Sequence, residues 1–86
     1  MPWRIDPRLA WQLVDGEGIV IDLPHGKVVG FNPVGSLVWS LLETQAEDAI
    51  AGEVARRFAI DDLDAVRADV RSFVSALVER GFVAAA

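Results

Sequence analysis

The pattern of apolar and polar positions changes once along this chain, at Asn32-Pro33. Before that point, short alternating runs lie between glycine-rich turns; after it, apolar residues recur at helical spacing. In the first half, Trp11 and Leu13 share one face of a run over Ala10–Val14, with Gln12 opposite. Asp15-Gly16-Glu17-Gly18 is turn chemistry. A second run, Ile19–Leu23, places Ile19, Ile21 and Leu23 on one face and Asp22 on the other. Pro24-His25-Gly26 turns the chain again, and Lys27–Phe31 reads as a third strand.

Asn32 then offers a side-chain cap, and Pro33 stands at the first helical position, where its missing N–H costs nothing. Val34, Leu37, Val38, Leu41 and Leu42 fall at i, i+3, i+4, i+7 and i+8, with Trp39 beside the stripe. Thr44 and Glu47 have the spacing of a capping box for a second helix, which buries Ile50, Ala51, Val54, Ala55 and Phe58. Asp61 or Asp62 caps a third, with the stripe Leu63, Val66, Val70, Phe73, Val74, Leu77 and Val78, and Gly81 stops it. The pattern predicts an α+β fold, winged-helix-like in content: a three-stranded antiparallel meander followed by three helices. Trp11 is expected in the core and Trp3 in a mobile or packing N-terminal arm.

Composition narrows the function. Eighty-six residues make a single domain over 1–86, with its core within about 9–83. Cysteine is absent, which removes disulfides, thiolate metal sites and cysteine nucleophiles together, and makes the cytoplasm the expected compartment. Met1-Pro2-Trp3-Arg4 does not open a signal peptide, and no apolar run approaches the ~20 residues of a membrane span. The formal net charge of −5 opposes phosphate binding, so no nucleic-acid partner is expected.

Candidate chemistry is sparse. The single His25 lies in a Pro-His-Gly turn without ligand partners at metal spacing. Asp61, Asp62 and Asp64 lack the glycine and downstream glutamate of a calcium loop and suit helix capping. Ser36, Ser40, Ser72 and Ser75 have no nearby base. No catalytic residue, metal or cofactor is expected; the chain reads as a binder.

The third strand, Lys27-Val28-Val29-Gly30-Phe31, is an edge of the meander with one Lys, no Pro, and a Gly that allows close backbone approach. Pro7 and Arg8 protect the other edge. An open apolar edge beside a long amphipathic helix can take an extended peptide as an added strand. Equally, the third helix or the N-terminal arm can cover it, or it can pair with itself in a homodimer. Arg67, Arg71, Val74 and Val78 follow one border of the third helix's stripe. They form either the opposite wall of a peptide groove or an ordinary amphipathic rim, with arginine stems over the core.

The stretch Gly-Lys-Val-Val-Gly-Phe-Asn-Pro-Val-Gly-Ser-Leu-Val-Trp-Ser-Leu-Leu at 26–42 resembles the PqqD-like signature, with Asn32, Gly35, Trp39 and Leu42 matching position by position. Thr44, Asp69-Val70, Leu77 and Gly81-Phe82-Val83 are similar to its later landmarks, so the resemblance covers residues 9–83. It departs at Glu43, where the family carries Gly, and at Val29-Gly30, where a Tyr is common. The Asn-Pro-Val-Gly stretch also differs from the dedicated pyrroloquinoline-quinone members, which favours another pathway such as that of a lasso or radical-SAM-modified peptide. The resemblance implies a RiPP recognition element: an adaptor that binds a precursor's leader peptide and presents it to a modifying enzyme, such as a protease, cyclase or radical-SAM enzyme. Its peptide site would comprise Lys27, Val28, Val29, Gly30 and Phe31 on the strand, with Arg67, Val70, Arg71, Val74 and Val78 on the helix. A winged-helix nucleic-acid binder and a homodimeric assembly module are the alternatives.

Overall fold

A computed structural model describes residues 2–86. Strands β1 (Trp3–Ile5), β2 (Ala10–Val14), β3 (Glu17–Asp22) and β4 (Lys27–Gly30) precede helices α1 (Pro33–Leu41), α2 (Glu47–Arg57) and α3 (Leu63–Glu79), and β5 (Val83–Ala85) closes the chain. The three expected strands form an antiparallel sheet in the order β2–β3–β4. The three expected helices follow, so the fold is α+β.

A second, two-stranded sheet was not expected. Trp3, Arg4 and Ile5 pair with Ala85, Ala84 and Val83. The Trp3 N–H donates to the Leu42 carbonyl at 2.9 Å, and the Ile5 N–H to Glu43 Oε2 at 3.2 Å. Glu43 thus pins β1 at the exit of α1, a role that a glycine side chain could not fill. Trp3 belongs to β1 and packs against the core. Trp11 is 40% exposed and meets Trp39 edge-on, with ring centroids 5.8 Å apart. The expectation of Trp11 in the core is corrected accordingly; Trp39, expected beside the stripe, lies at its centre and is buried.

The sheet's inner face is the one carrying Val20 and Asp22. Val20 pairs with Val29 and is buried, whereas Ile21 and Val28 pair on the outer face and are exposed. Ile19, Val20 and Ile21 are apolar on both faces, so alternation alone does not choose between them. Packing under α1 decides, and the buried Asp22 carboxylate is satisfied by His25 Nδ1 at 2.8 Å.

Two of the three helices are capped by the expected side chains, and the third is not. Asn32 Oδ1 accepts from the Gly35 N–H at 2.7 Å, and Asp62 accepts from the Ala65 N–H at 3.1 Å. The expected Thr44/Glu47 box does not form. α2 begins at Glu47 after Ala46, with no side-chain cap, and the Thr44 hydroxyl instead donates to the Leu41 carbonyl. Glu47 therefore occupies the first helical position instead of the third, where with Asp48 it still complements the helix dipole.

Ser36 joins the two layers. Its buried hydroxyl accepts from the Gly18 N–H at 2.7 Å and donates to the Phe31 carbonyl at 3.3 Å, while the Phe31 N–H donates directly to the Gly18 carbonyl at 2.9 Å. The hydroxyl is spliced into the β3–β4 ladder where the strands part toward α1. Ser36→Ala leaves the Gly18 N–H buried without a partner, and the expected loss is about 1–3 kcal/mol. A lowered urea midpoint at unchanged m-value would show it.

Candidate functional site: the cleft between β4 and α3

β4 is the terminal strand of its sheet, and among the described residues nothing pairs with its outer edge. The N-terminal arm is committed to β5 and does not cover it. In an antiparallel ladder, residues alternate between pointing their N–H and C=O at the partner and away from it. The Phe31 N–H bonds Gly18 on β3, so Val29 and Lys27 also point inward, and Val28 and Gly30 present their backbone groups at the edge. Two residues with one donor and one acceptor each therefore offer four unpaired groups.

α3 runs beside β4 in the opposite direction. At one end, Gly30, Phe31 and Asn32 share a cleft of about 510 Å³ with Val66, Asp69, Val70 and Phe73. At the other, Lys27 and Val29 face Arg80 and Phe82 across a shallower hollow of about 290 Å³. The larger cleft is apolar at its floor, where Val38, Val54 and Val70 are buried. Phe31 and Phe73 meet edge to face, with centroids 5.4 Å apart. Ile60 contributes to the cleft from the α2–α3 turn. Ala59 before it adopts φ +52°, a left-handed conformation, and the Ile60 N–H donates back to the Ala55 carbonyl at 2.9 Å.

Of the residues expected at the site, Gly30, Phe31 and Val70 line the larger cleft, Lys27 and Val29 line the smaller hollow, and Val28 stands on the open edge. Val74 is buried in the core, 1% exposed. Arg67 lies on the flank of α3 toward α2, 3.7 Å from Asp48 and 3.4 Å from Asp64. Arg71 and Val78 follow the same border by helical spacing. The border beside β4 is the other one, with Asp69, Phe73 and Arg80 at i, i+4 and i+11. Local pattern shows both borders alike; only packing against α2 distinguishes them. Sequence alone therefore does not single out Val66, Ile60, Asp69 and Phe73 as lining the cleft, although Phe73 and Val66 belong to the apolar stripe.

Gly35 sets the width of this cleft. A Cβ there would come within 3.2 Å of the Phe73 ring and 3.3 Å of Asn32 Oδ1. Phe73 is only half-buried, so Gly35→Ala is expected to push its ring into the cleft. If the cleft takes the extended peptide that the sequence leads one to expect, its affinity should fall more, relative to wild type, than stability does. Calorimetric titration alongside thermal melting separates the two effects.

No three acidic or histidine side chains come together as a metal site among the described residues, and no helix there is long and apolar enough to cross a membrane. The family model for coenzyme PQQ synthesis protein D (PqqD) matches residues 17–83. The chain belongs to the PqqD family. No curated protein sequence matches it significantly. Among solved structures, TbiB1 in complex with the TbiA(beta) leader peptide is similar at 27% identity and TM-score 0.83, covering 96% of this chain and 94% of that one. A lasso peptide synthetase B1 complexed with its leader peptide shares the fold at 18% identity and TM-score 0.84, covering 98% and 99%.

Proposed function

We propose that this domain binds the leader of a ribosomally made precursor peptide as a strand added to β4, and presents it to a modifying enzyme without catalysing a reaction itself. The observation that carries the reading is the unpaired β4 edge running beside an apolar cleft, in a chain 27% identical to a protein determined with a leader peptide. Val28 and Gly30 supply backbone pairing. Phe31, Ile60, Val70 and Phe73 receive apolar side chains.

Magnitudes fix the division of labour. Four edge hydrogen bonds contribute about 0.5–1.5 kcal/mol each, while association costs roughly 4–15 kcal/mol. Backbone pairing alone does not hold the peptide, so buried side chains in the cleft must supply the balance at about 25 cal/mol per Å². The partner enzyme is of the protease, cyclase or radical-SAM kind, acting in the cytoplasm where the precursor is made. Calorimetry with leader segments of short peptides encoded beside its gene tests the proposal. One of them should bind at micromolar affinity or better, with a negative heat-capacity change. Binding of none, together with tight salt-sensitive binding of DNA, would overturn it.

A further inference from the structure

We infer that the groove is charge-polarised and thereby fixes the register of its strand: the peptide carries an acidic side chain at the end beside Lys27 and Arg80, a basic one at the end beside Asp69, and apolar side chains between. This rests on the peptide-binding reading above and adds to it what the peptide must look like.

Some of the other charged groups near the helices are held in ion pairs, while Arg71, Glu79, Glu47 and Asp61, which are not, lie outside the residues lining the groove. Arg56 and Arg57 hold Glu53, and Arg67 reaches Asp48 and Asp64. Among the described residues, Lys27, Arg80 and Asp69 have no ion-pair partner, and these three stand along the β4–α3 groove. Arg80 lies over the Phe82 ring, its guanidinium carbon 5.8 Å from the centroid, which steadies the head without neutralising it. The one carboxylate in that hollow, Asp22, is engaged by His25. In a protein of net charge −5, two cations gathered at one end of a groove form a local exception.

Geometry translates this into a sequence pattern. Asp69 and Arg80 are about three turns apart on α3, or roughly 16 Å. An extended peptide covers that span in about five residues. Side chains that point into the groove recur every second residue, opposite Lys27, Val29 and Phe31, because directly paired residues share a face and these three stand on the inner one with Val20 and Asp22. The two charges should therefore be an even number of residues apart, about four to six, with apolar residues at the intervening even positions.

A display library of fully randomised nonapeptides, panned on the immobilised full chain, tests this. Wild-type protein should enrich peptides with Asp or Glu at one end of the alternating pattern and Lys or Arg at the other. The double variant Lys27→Glu/Arg80→Glu should invert the acidic preference, and Asp69→Lys the basic one. Lys27→Gln/Arg80→Gln, a milder change, should abolish the acidic preference while circular dichroism stays unchanged. For the best wild-type peptide, swapping its two charged residues should weaken binding about threefold at moderate salt, and more at low salt. An apolar motif enriched identically by all variants would overturn the polarity and leave peptide binding standing. No enrichment by any variant, wild type included, would overturn both.

Discussion

Val28→Pro is expected to weaken leader-peptide binding about tenfold or more while leaving the domain folded. Val28 is exposed, and its N–H is aimed at the open edge of the sheet, away from β3. Proline there removes no hydrogen bond of the free protein, and edge strands tolerate it for that reason. In the complex it deletes one donor, leaves a peptide carbonyl unpaired, and sets a ring against the incoming strand; about 1–3 kcal/mol corresponds to roughly 5- to 150-fold. One residue later the outcome reverses. The Val29 N–H points at Val20 inside the ladder, so Val29→Pro should cost roughly 3 kcal/mol of stability. Measuring both variants by calorimetry and urea denaturation gives a paired result. Wild-type affinity in Val28→Pro would place the peptide elsewhere than on β4.

Val74→Asp is expected to unfold the domain outright. The side chain is 1% exposed within the cluster formed with Val70, Leu77, Trp39 and Val20, with no cation to meet a carboxylate. An unpaired carboxylate there costs several kcal/mol even after it takes up a proton. Small domains have only about 5–15 kcal/mol in total, and this one is near the lower size limit. Loss of dispersion in proton NMR spectra and of the far-ultraviolet helix signal would show it. Arg71→Glu is the companion variant. It changes charge on the exposed border that continues from Arg67, away from β4, and should leave both stability and peptide affinity within about twofold. A large loss of affinity in Arg71→Glu with the fold intact would show that the groove includes that border after all.

The contrast between these residues shows what the sequence made legible. Asn32-Pro33, Asp62 and Gly81 mark their boundaries through local chemistry, and α1 to α3 follow from apolar spacing that tertiary packing does not overrule. The third strand is recognisable as an edge because it ends the meander, and as an open one because it has neither proline nor inward charge beyond Lys27. What stayed hidden depends on contacts between distant residues. β1 and β5 are three residues each, too short for alternation to register, and they exist because Ile5 and Val83 close over the core. The inner face of β3 is ambiguous because Ile19, Val20 and Ile21 are all apolar. The border of α3 that meets β4 is settled by where α2 lies, and Arg67 beside Asp48 records that choice. Gly35 was visible as a family landmark, but its purpose, clearance for Phe73, needs the two helices in place.

The aromatic contacts give the domain its own optical readout. Phe73 in the cleft wall touches Phe31, Phe31 packs on Trp39 with centroids 5.2 Å apart, and Trp39 meets the half-open Trp11. A side chain seated against Phe73 shifts the ring next to the buried indole, so occupancy of the groove should register in near-ultraviolet circular dichroism and tryptophan emission without any label. A Trp11→Phe/Trp3→Phe protein would isolate the Trp39 signal, and titrating it with unlabelled peptide would follow docking from inside the core.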